Sequence, residues 1–335
     1  MKRILIYIAL FLIPIYSFSQ KNQESLTVMF YNVENLYDTI NDPLTLDDDF
    51  TPLGKKNWKD SRYQKKLNDI AKVISSVNEN NLPVLVGFAE LENKTVLQDL
   101  IQTESLKTKK YKIVHEESPD VRGIDVGLIY NSDEFQYLNH LKIPIPLDTE
   151  YKVRDILYIK GVLKGTDTLH VFINHWKSRS GGQEETEPQR IQCALTLKNQ
   201  IDSILAKTDD AKILIMGDLN DEPKNKSIFE TLKADNSGEQ GSLYNLMLSL
   251  SQNGFGTHSY RGGWNMLDHI IVSSGFINCT SGFKVNENDG QIFSPDWITF
   301  TSKDGNKSPN RTYGGSNYYG GYSDHYPVFV ILKKQ

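Results

Sequence analysis

Six apolar runs in this chain stop or start at residues that carry chemistry. "LTVMFYNVEN" reaches Asn32 and Glu34, and "PVLVGFAELEN" reaches Glu90, with Glu92 and Asn93 behind it. "LHVFINHWKSRSGG" leads to Asn174, His175, Lys177 and Arg179, and "AKILIMGDLND" to Asp218, Asn220 and Asp221. "MLDHIIVS" opens with Asp268 and His269, and "SDHYPVFVIL" with Asp324 and His325. Short apolar runs bounded by polar residues read as buried strands. A polar end on one strand is unremarkable. Acids, amides and imidazoles on all of them mean strands that converge at one sheet edge, where the adjoining loops build a cleft.

Helical spacing appears between the strands. "RYQKKLNDIAKVISSVNE" puts Leu67, Ile70, Ala71, Ile74 and Val77 on one face and lysines on the other. A short helix is expected around Val96 to Ile101. A long one should open near Pro188 and turn Ile191, Ala194, Leu195, Ile201 and Leu205 inward. "ILYIKGVL" and "LHVFINHW" flank the turn "KGTDT" and read as a hairpin, and "GIDVGLIY" (Gly123 to Tyr130) as a further strand. Interleaved strands and helices with hairpins among them predict an α/β fold of two packed mixed sheets with helices outside. Two long loops, Asp38 to Asp60 and Asn286 to Tyr322, should be functional or disordered.

The first residues stand apart. "MKRILIYIALFLIPIYSFS" has Lys2 and Arg3, an apolar stretch interrupted by Pro14, and small residues at its end. That is the layout of a signal peptide over residues 1–19, shorter than the ~20 residues of a bilayer span. The expectation is a secreted or periplasmic protein whose single domain runs over residues 25–335. Cys193 and Cys279 are read as two isolated small residues in preference to a disulfide, and neither has zinc-type spacing. The net charge of −5 argues against nucleic-acid binding by bulk electrostatics, so such a role needs metal ions or a local basic patch.

Carboxylates, amides and histidines without a nucleophilic Ser or Cys motif favour hard oxygen-bound cations over zinc. They suit metal-assisted hydrolysis of a phosphate ester. "MFYNVENLYD", "GFAELEN", "RGIDVGLIY", "NHWKSRSGG", "MGDLND", "LDHIIVS" and "SDHYP", in this order, resemble the signature blocks of the endonuclease/exonuclease/phosphatase superfamily. The resemblance covers nearly all of the chain after the signal segment. It implies a four-layered α/β sandwich.

The resemblance also implies roles. Glu90 would hold Mg²⁺ (or Mn²⁺, with Ca²⁺ as a further candidate), helped by Asn32 and Asp324. Asp218 would orient or deprotonate the attacking water, and Asn220 would bond a phosphoryl oxygen. His325, with Asp268 as its carboxylate partner, would face the scissile phosphate. His175 would stabilise phosphate charge or protonate the leaving oxygen, with Asp125 as the group that orients it. Arg122, Lys177 and Arg179 would grip phosphates. His269, beside Asp268, is expected to point away as a structural residue. Tyr260, Arg261, Trp264 and the tyrosines at 313, 318, 319 and 322 are offered as stacking surfaces or as loop packing, and Asp47 to Asp49 as a solvated loop in preference to a calcium site. The implied substrate is DNA, by endonucleolytic cleavage in a monomer with no protein partner. A phosphatase or phospholipid phosphodiesterase on the same scaffold is the alternative.

Overall fold

The computed structural model describes residues 23–78, 81–147 and 152–335, so the signal-peptide expectation lies outside the described residues. The principal strands are β1 (Ser25–Leu36), β2 (Leu85–Leu91), β3 (Tyr111–His115), β4 (Asp125–Asn131), β5 (Phe135–Ile143), β6 (Ile156–Leu163), β7 (Asp167–His175) and β8 (Lys212–Asp218). Shorter ones follow: β9 (Leu243–Asn245), β10 (His258–Tyr260), β11 (Gly263–Asn265), β12 (Asp268–Ser273), β13 (Phe283–Lys284) and β14 (Gln291–Ile292). The last are β15 (Thr299–Thr301), β16 (Lys307–Pro309), β17 (Tyr313–Gly314), β18 (Asn317–Tyr318) and β19 (Val328–Lys334). Helices α1 (Asp60–Ser76), α2 (Lys94–Ile101), α3 (Gln183–Leu205), α4 (Leu248–Gln252) and α5 (Ser274–Ile277) lie between them.

One sheet has the order β13-β19-β1-β2-β4-β3, with β14 also on β19, and the other β5-β6-β7-β8-β12-β9. Each is mixed: β1 runs parallel to β2, and β7 parallel to β8, beside antiparallel neighbours.

Alternation of side chains along a strand explains the layers. In β1, Val28 and Phe30 enter the core between the sheets while Met29 and Tyr31 face α1. In β8, Leu214 and Met216 face that same core while Ile213 and Ile215 pack toward α3. The result is helix, sheet, sheet, helix, the expected four-layered sandwich. Each fully buried aliphatic or aromatic side chain contributes about 1.5–3 kcal/mol. At Gly87 the two sheets leave no room for a side chain: a Cβ there would lie 2.9 Å from Ile173 Cδ1 and 3.3 Å from Phe30 Cδ2.

Helix α1 buries Leu67, Ile70, Ala71 and Ile74 as its spacing predicts. Asn93 is the N-cap of α2, its side chain accepting from Val96 N at 3.1 Å. Helix α3 begins at Gln183, five residues before Pro188. Pro188 stands past the first turn, so it forgoes the N–H bond to the Glu184 carbonyl within the helix. Leu195 is 42 % exposed, and Cys193 and Leu197 take the inward positions. The inward stripe is less clear in sequence because Arg190 is buried too, its Nε 2.8 Å from Asp221 Oδ2.

Strands β3 and β5 carry too weak an alternation to stand out in the sequence. Both are edge strands with exposed polar positions. The long loop from Asn286 to Tyr322 holds short paired strands and is stitched to α1. Lys66 Nζ donates to Thr312 Oγ1 and Tyr322 O, both at 2.6 Å, and the Arg62 guanidinium lies 4.1 Å above the Tyr318 ring. Tyr313, Tyr318 and Tyr322 are therefore loop packing, whereas Tyr260 and Tyr319 stay exposed. In the other loop, Asp47 is buried and accepts from Asp42 N at 2.9 Å, and Asp49 pairs with Lys55. Cys193 and Cys279 are not linked. No helix among the described residues is long and apolar enough to cross a membrane.

Candidate active site

The inward-facing row of each central strand continues one step past its last apolar residue. Val28 and Phe30 lead to Asn32, Val171 and Ile173 to His175, Leu214 and Met216 to Asp218, and, read backwards, Val272 and Ile270 to Asp268. Register fixes three of these side by side: His175 pairs with Asp218, and Asp218 with Asp268. A buried polar row thus closes one end of the inter-sheet core. The residues between them, Asn174, Gly217 and His269, point the other way. His269 Nε2 lies 2.9 Å from Asp221 O and its Nδ1 3.1 Å from Asn245 Nδ2, which makes it structural, as expected.

Strand β2 reaches the same place by breaking its period. Its register shifts between Ala89 and Leu91, and Glu90 adopts φ 63°, a left-handed conformation uncommon for glutamate. The kink turns the Glu90 carboxylate to Asn35 N (3.1 Å) and Asn32 Nδ2 (3.4 Å). Asn32 Nδ2 also donates to Asp218 Oδ2 at 3.0 Å, so one amide bridges the two carboxylates. Glu34, Asn35 and Asn220 share positive φ, at 51°, 56° and 51°. Backbone strain of this kind gathers at functional sites and persists where the surrounding structure over-determines it.

His325 arrives from the segment before β19. Its Nδ1 is 2.7 Å from Asp268 Oδ2 and its Nε2 3.9 Å from Asp218 Oδ2. Ser323 anchors it, accepting from His325 N and donating to Asn32 O at 2.7 Å. The bond to Asp268 puts a proton on Nδ1. Burial opposes a charge on His325, but Asp268 and Asp218 outweigh it and hold the imidazolium well above the usual histidine range. Burial pushes Asp218 up, Asp268 pushes it further, and His325 draws it back, leaving a carboxylate more basic than usual. His175 is the opposite case. Burial, with Arg154 and Arg122 nearby, holds it well below the ordinary value, so it is neutral. Its Nε2 is 3.7 Å from Asp218 Oδ2, and its buried Nδ1 has no partner.

Several expected positions are corrected by the geometry. Asp125 does not orient His175: its carboxylate is 3.2 Å from His115 Nε2 and accepts from Ser118 N at 2.8 Å, because β4 pairs with β2 and β3, in the sheet opposite β7. Asp324 is paired with Arg311, Oδ2 to Nη2 at 2.8 Å, instead of with Asn32 or Glu90. Arg179 is a brace and not a free phosphate grip. Its guanidinium donates to Asn220 O (2.8 Å), Asn225 Oδ1 (3.0 Å) and Asn265 Oδ1 (3.2 Å), tying down the loop after β8. Arg122 is half-exposed and bonded to Asp120 through Nε and Nη2, close enough to Glu90 to feel its charge. Lys177 is half-buried, and its ammonium has no hydrogen-bond or ion-pair partner among the described residues. Asn220 is buried beside Asp218, its N donating to Asp218 Oδ1 (3.0 Å) and its Nδ2 to Trp176 O (3.2 Å).

Two residues of the site escape a reading of the sequence. His258, on β10, lies with its ring centroid 4.8 Å from that of His325, and burial and His325 lower it to about 4. The hairpin turn "RGG" before "WNMLDH" is the signal that returns this strand to Asp268. Arg154 is buried, with Nη1 2.9 Å from Asp120 Oδ2 and Nη2 2.6 Å from Trp176 O. A lone arginine before a strand carries no signal of its own.

The donor set fits a hard divalent cation. Glu90 and Asp218 bring carboxylate oxygens to either side of Asn32 Nδ2, beside the Asp268–His325 pair, while Asn32 Oδ1 accepts from Glu34 N at 3.0 Å; Asp268 Oδ1 is buried without a partner. Ligand atoms of Asp218, Asp268 and His325 all lie within 4.8 Å of one another.

The comparisons with known proteins agree with this architecture. A sequence model described as the Endonuclease/Exonuclease/phosphatase family matches residues 27–334. No curated protein matches the chain in sequence. Among solved structures, a humanized D. rerio TDP2 is 16 % identical with a TM-score of 0.55, covering 92 % of this chain and 98 % of its own. The human Nocturnin catalytic domain with bound sulfate is 14 % identical, TM-score 0.55, covering 93 % and 95 %. The Bacteroides thetaiotaomicron mannosyl-6-phosphatase Bt3783 is 16 % identical, TM-score 0.54, covering 92 % and 99 %. At these identities the likeness is one of fold, whereas the family match spans nearly the whole described chain. The chain belongs to the endonuclease/exonuclease/phosphatase family and is a phosphoric ester hydrolase of that fold.

Proposed function

We propose that the protein hydrolyses a phosphate ester by in-line attack of water, assisted by Mg²⁺ or Mn²⁺ that Glu90 would hold, with Asn32 Nδ2 fixing its carboxylate. The observation that carries this reading is the position of Asp218. Its Oδ2 lies between two imidazoles, 3.7 Å from His175 Nε2 and 3.9 Å from His325 Nε2, while Asn32 links it to Glu90. When bound, the divalent ion neutralises charge on the phosphoryl oxygens. Asp218, made more basic by burial, orients the water and takes its proton. His325, protonated and fixed by Asp268, donates from Nε2 to a phosphoryl oxygen, and neutral His175 donates from its own Nε2. Asn220, braced by Arg179, holds the Asp218 carboxylate in place through its N–H, and its side-chain amide would bond a phosphoryl oxygen. His175 or a water it holds is suited to serve the leaving oxygen. No covalent enzyme intermediate is required.

DNA is the first substrate considered, with Arg122 and Lys177 beside the scissile phosphate. One neighbour supports it: a D. rerio TDP2 structure carries a single-strand DNA product. A small phosphomonoester is the second reading. It is favoured by the engagement of Arg179 in bracing, by the Arg122–Asp120 pair and by the net charge of −5, which leave little free cationic surface for a polyanion. Secretion through the segment 1–19 completes the proposal and rests on sequence layout alone. The test is a parallel assay of plasmid nicking, a generic phosphodiester and a sugar phosphomonoester with Mg²⁺ or Mn²⁺. Activity that persists in EDTA overturns the metal assignment, and turnover of the monoester alone overturns the nuclease reading.

A further inference from the structure

A second cluster of metal-ligating side chains stands outside the cleft. His115 ends β3, Asp125 opens β4, and Glu117 lies in the loop between them. The ladder fixes the first two, since His115 pairs with Gly127, two residues beyond Asp125. Asp125 Oδ2 is 3.2 Å from His115 Nε2, and Glu117 Oε1 is 4.0 Å from His115 Nδ1. One donor atom from each of the three lies within 4.8 Å of the others. The side chains of His115 and Asp125 are 3 % and 2 % exposed, whereas that of Glu117 is 68 % exposed.

This is how a closable cation site is built. Two donors are buried and oriented in advance, and Ser118 N holds the second oxygen of Asp125 at 2.8 Å, the supporting bond that fixes a ligating carboxylate. The third donor sits on a solvent-facing side chain that gives an ion its way in. The charge is out of balance as well, with one imidazole against two carboxylates. Lys142 does not correct this: its Nζ donates to the backbone oxygen of Glu117, at 2.9 Å.

We propose that His115, Glu117 and Asp125 form a second metal site, sharing no residue with the Glu90–Asp218 cleft, that takes Zn²⁺. One imidazole with two carboxylates and an open position for water matches zinc better than the all-oxygen shells of Mg²⁺ or Ca²⁺. A bound ion would clamp the 115–125 loop, which also carries Asp120 and Arg122 at the edge of the cleft.

The test is isothermal titration of Zn²⁺ into EDTA-stripped full-length protein carrying Glu90→Gln and Asp218→Asn, which remove the cleft as a competing site. One equivalent of Zn²⁺ should still bind. Adding His115→Ala should abolish that event, and adding Glu117→Gln should weaken it by roughly ten- to a hundredfold. Retention of zinc affinity in the His115→Ala protein, or absence of any zinc event in the parent double variant, overturns the proposal. Should His115→Ala fail to fold, the exposed Glu117→Gln change decides alone, since unaltered affinity there also overturns it. The readout is binding, so it is independent of whether phosphate esters are turned over.

Discussion

His175 and Asp218 are partners across the parallel β7/β8 ladder, and both side chains face the inter-sheet core, with Nε2 and Oδ2 3.7 Å apart. Two strands packed for hydrophobic reasons thereby deliver an imidazole and a carboxylate to one point without help from a loop. Asp268 is the next partner in the same row, and His325 closes on it from the other sheet.

The Asp268–His325 bond should control turnover. His325→Ala is expected to lower kcat by roughly 10²–10⁴-fold. Asp268→Asn should also lower it, by leaving the ring free to adopt the wrong tautomer, while substrate KM changes little. Steady-state kinetics on whichever phosphate ester is turned over checks this, and an unchanged kcat in both variants contradicts the assignment.

Glu90 should govern metal dependence. Glu90→Gln is expected to raise the Mg²⁺ or Mn²⁺ concentration needed for half-maximal activity by at least about tenfold, since it removes the charged ligand. Saturating metal should recover part of the rate. A metal titration identical to that of the unaltered protein would place the ion elsewhere.

Arg179 separates bracing from gripping. Because its guanidinium holds the Asn220 carbonyl and the loop beyond, Arg179→Met should lower kcat by roughly ten- to a hundredfold through misplacement of Asp218 and Asn220. A phosphate-gripping arginine would instead raise KM and flatten the salt dependence. The split between kcat and KM is the measurement.

His269 makes a prediction about stability and pH. Its ring is fully buried and lowered to about 4, chiefly by burial, against the usual 6.5. As pH falls, the unfolded chain takes up this proton before the folded one can. The stability associated with His269 is therefore complete above about pH 6.5 and lost progressively down to about pH 4, on the order of 3 kcal/mol in all. His269→Gln removes this dependence. Denaturant unfolding at pH 7.5 and 4.5 should show the gap between the two proteins narrowing by about 2–3 kcal/mol at the lower pH, and a gap that does not move refutes it.

The chemistry-bearing residues were legible in the sequence because they stand at fixed offsets from apolar runs. Alternation that buries Val28 and Phe30 must put Asn32 on the same side, and the step from Met216 to Asp218 works identically. His269 could be told from Asp268 for the same reason. Edge strands β3 and β5 were not legible, because half their positions face water and the alternation fades. The start of α3 falls at Gln183 and not near Pro188, because proline suits a first turn best and this helix carries it in its second.

What sequence could not supply was partnership between distant residues. Asp125 and His175 lie close to motifs of the same kind, yet the sheet order puts Asp125 against His115. Arg179 sits in the same block as His175, but the loop after β8 folds back and engages it. Asp324 follows Ser323 toward the cleft, yet Arg311 from the packed loop captures it. His258 and Arg154 join the site only through a hairpin and a buried ion pair. Local periodicity determines which face a side chain occupies, and this sequence determined by itself the layers and the polar row that ends them. Which charges neutralise one another depends on Coulomb forces and hydrogen bonds that act over a few ångströms between segments far apart in the chain, and only the tertiary structure decided that.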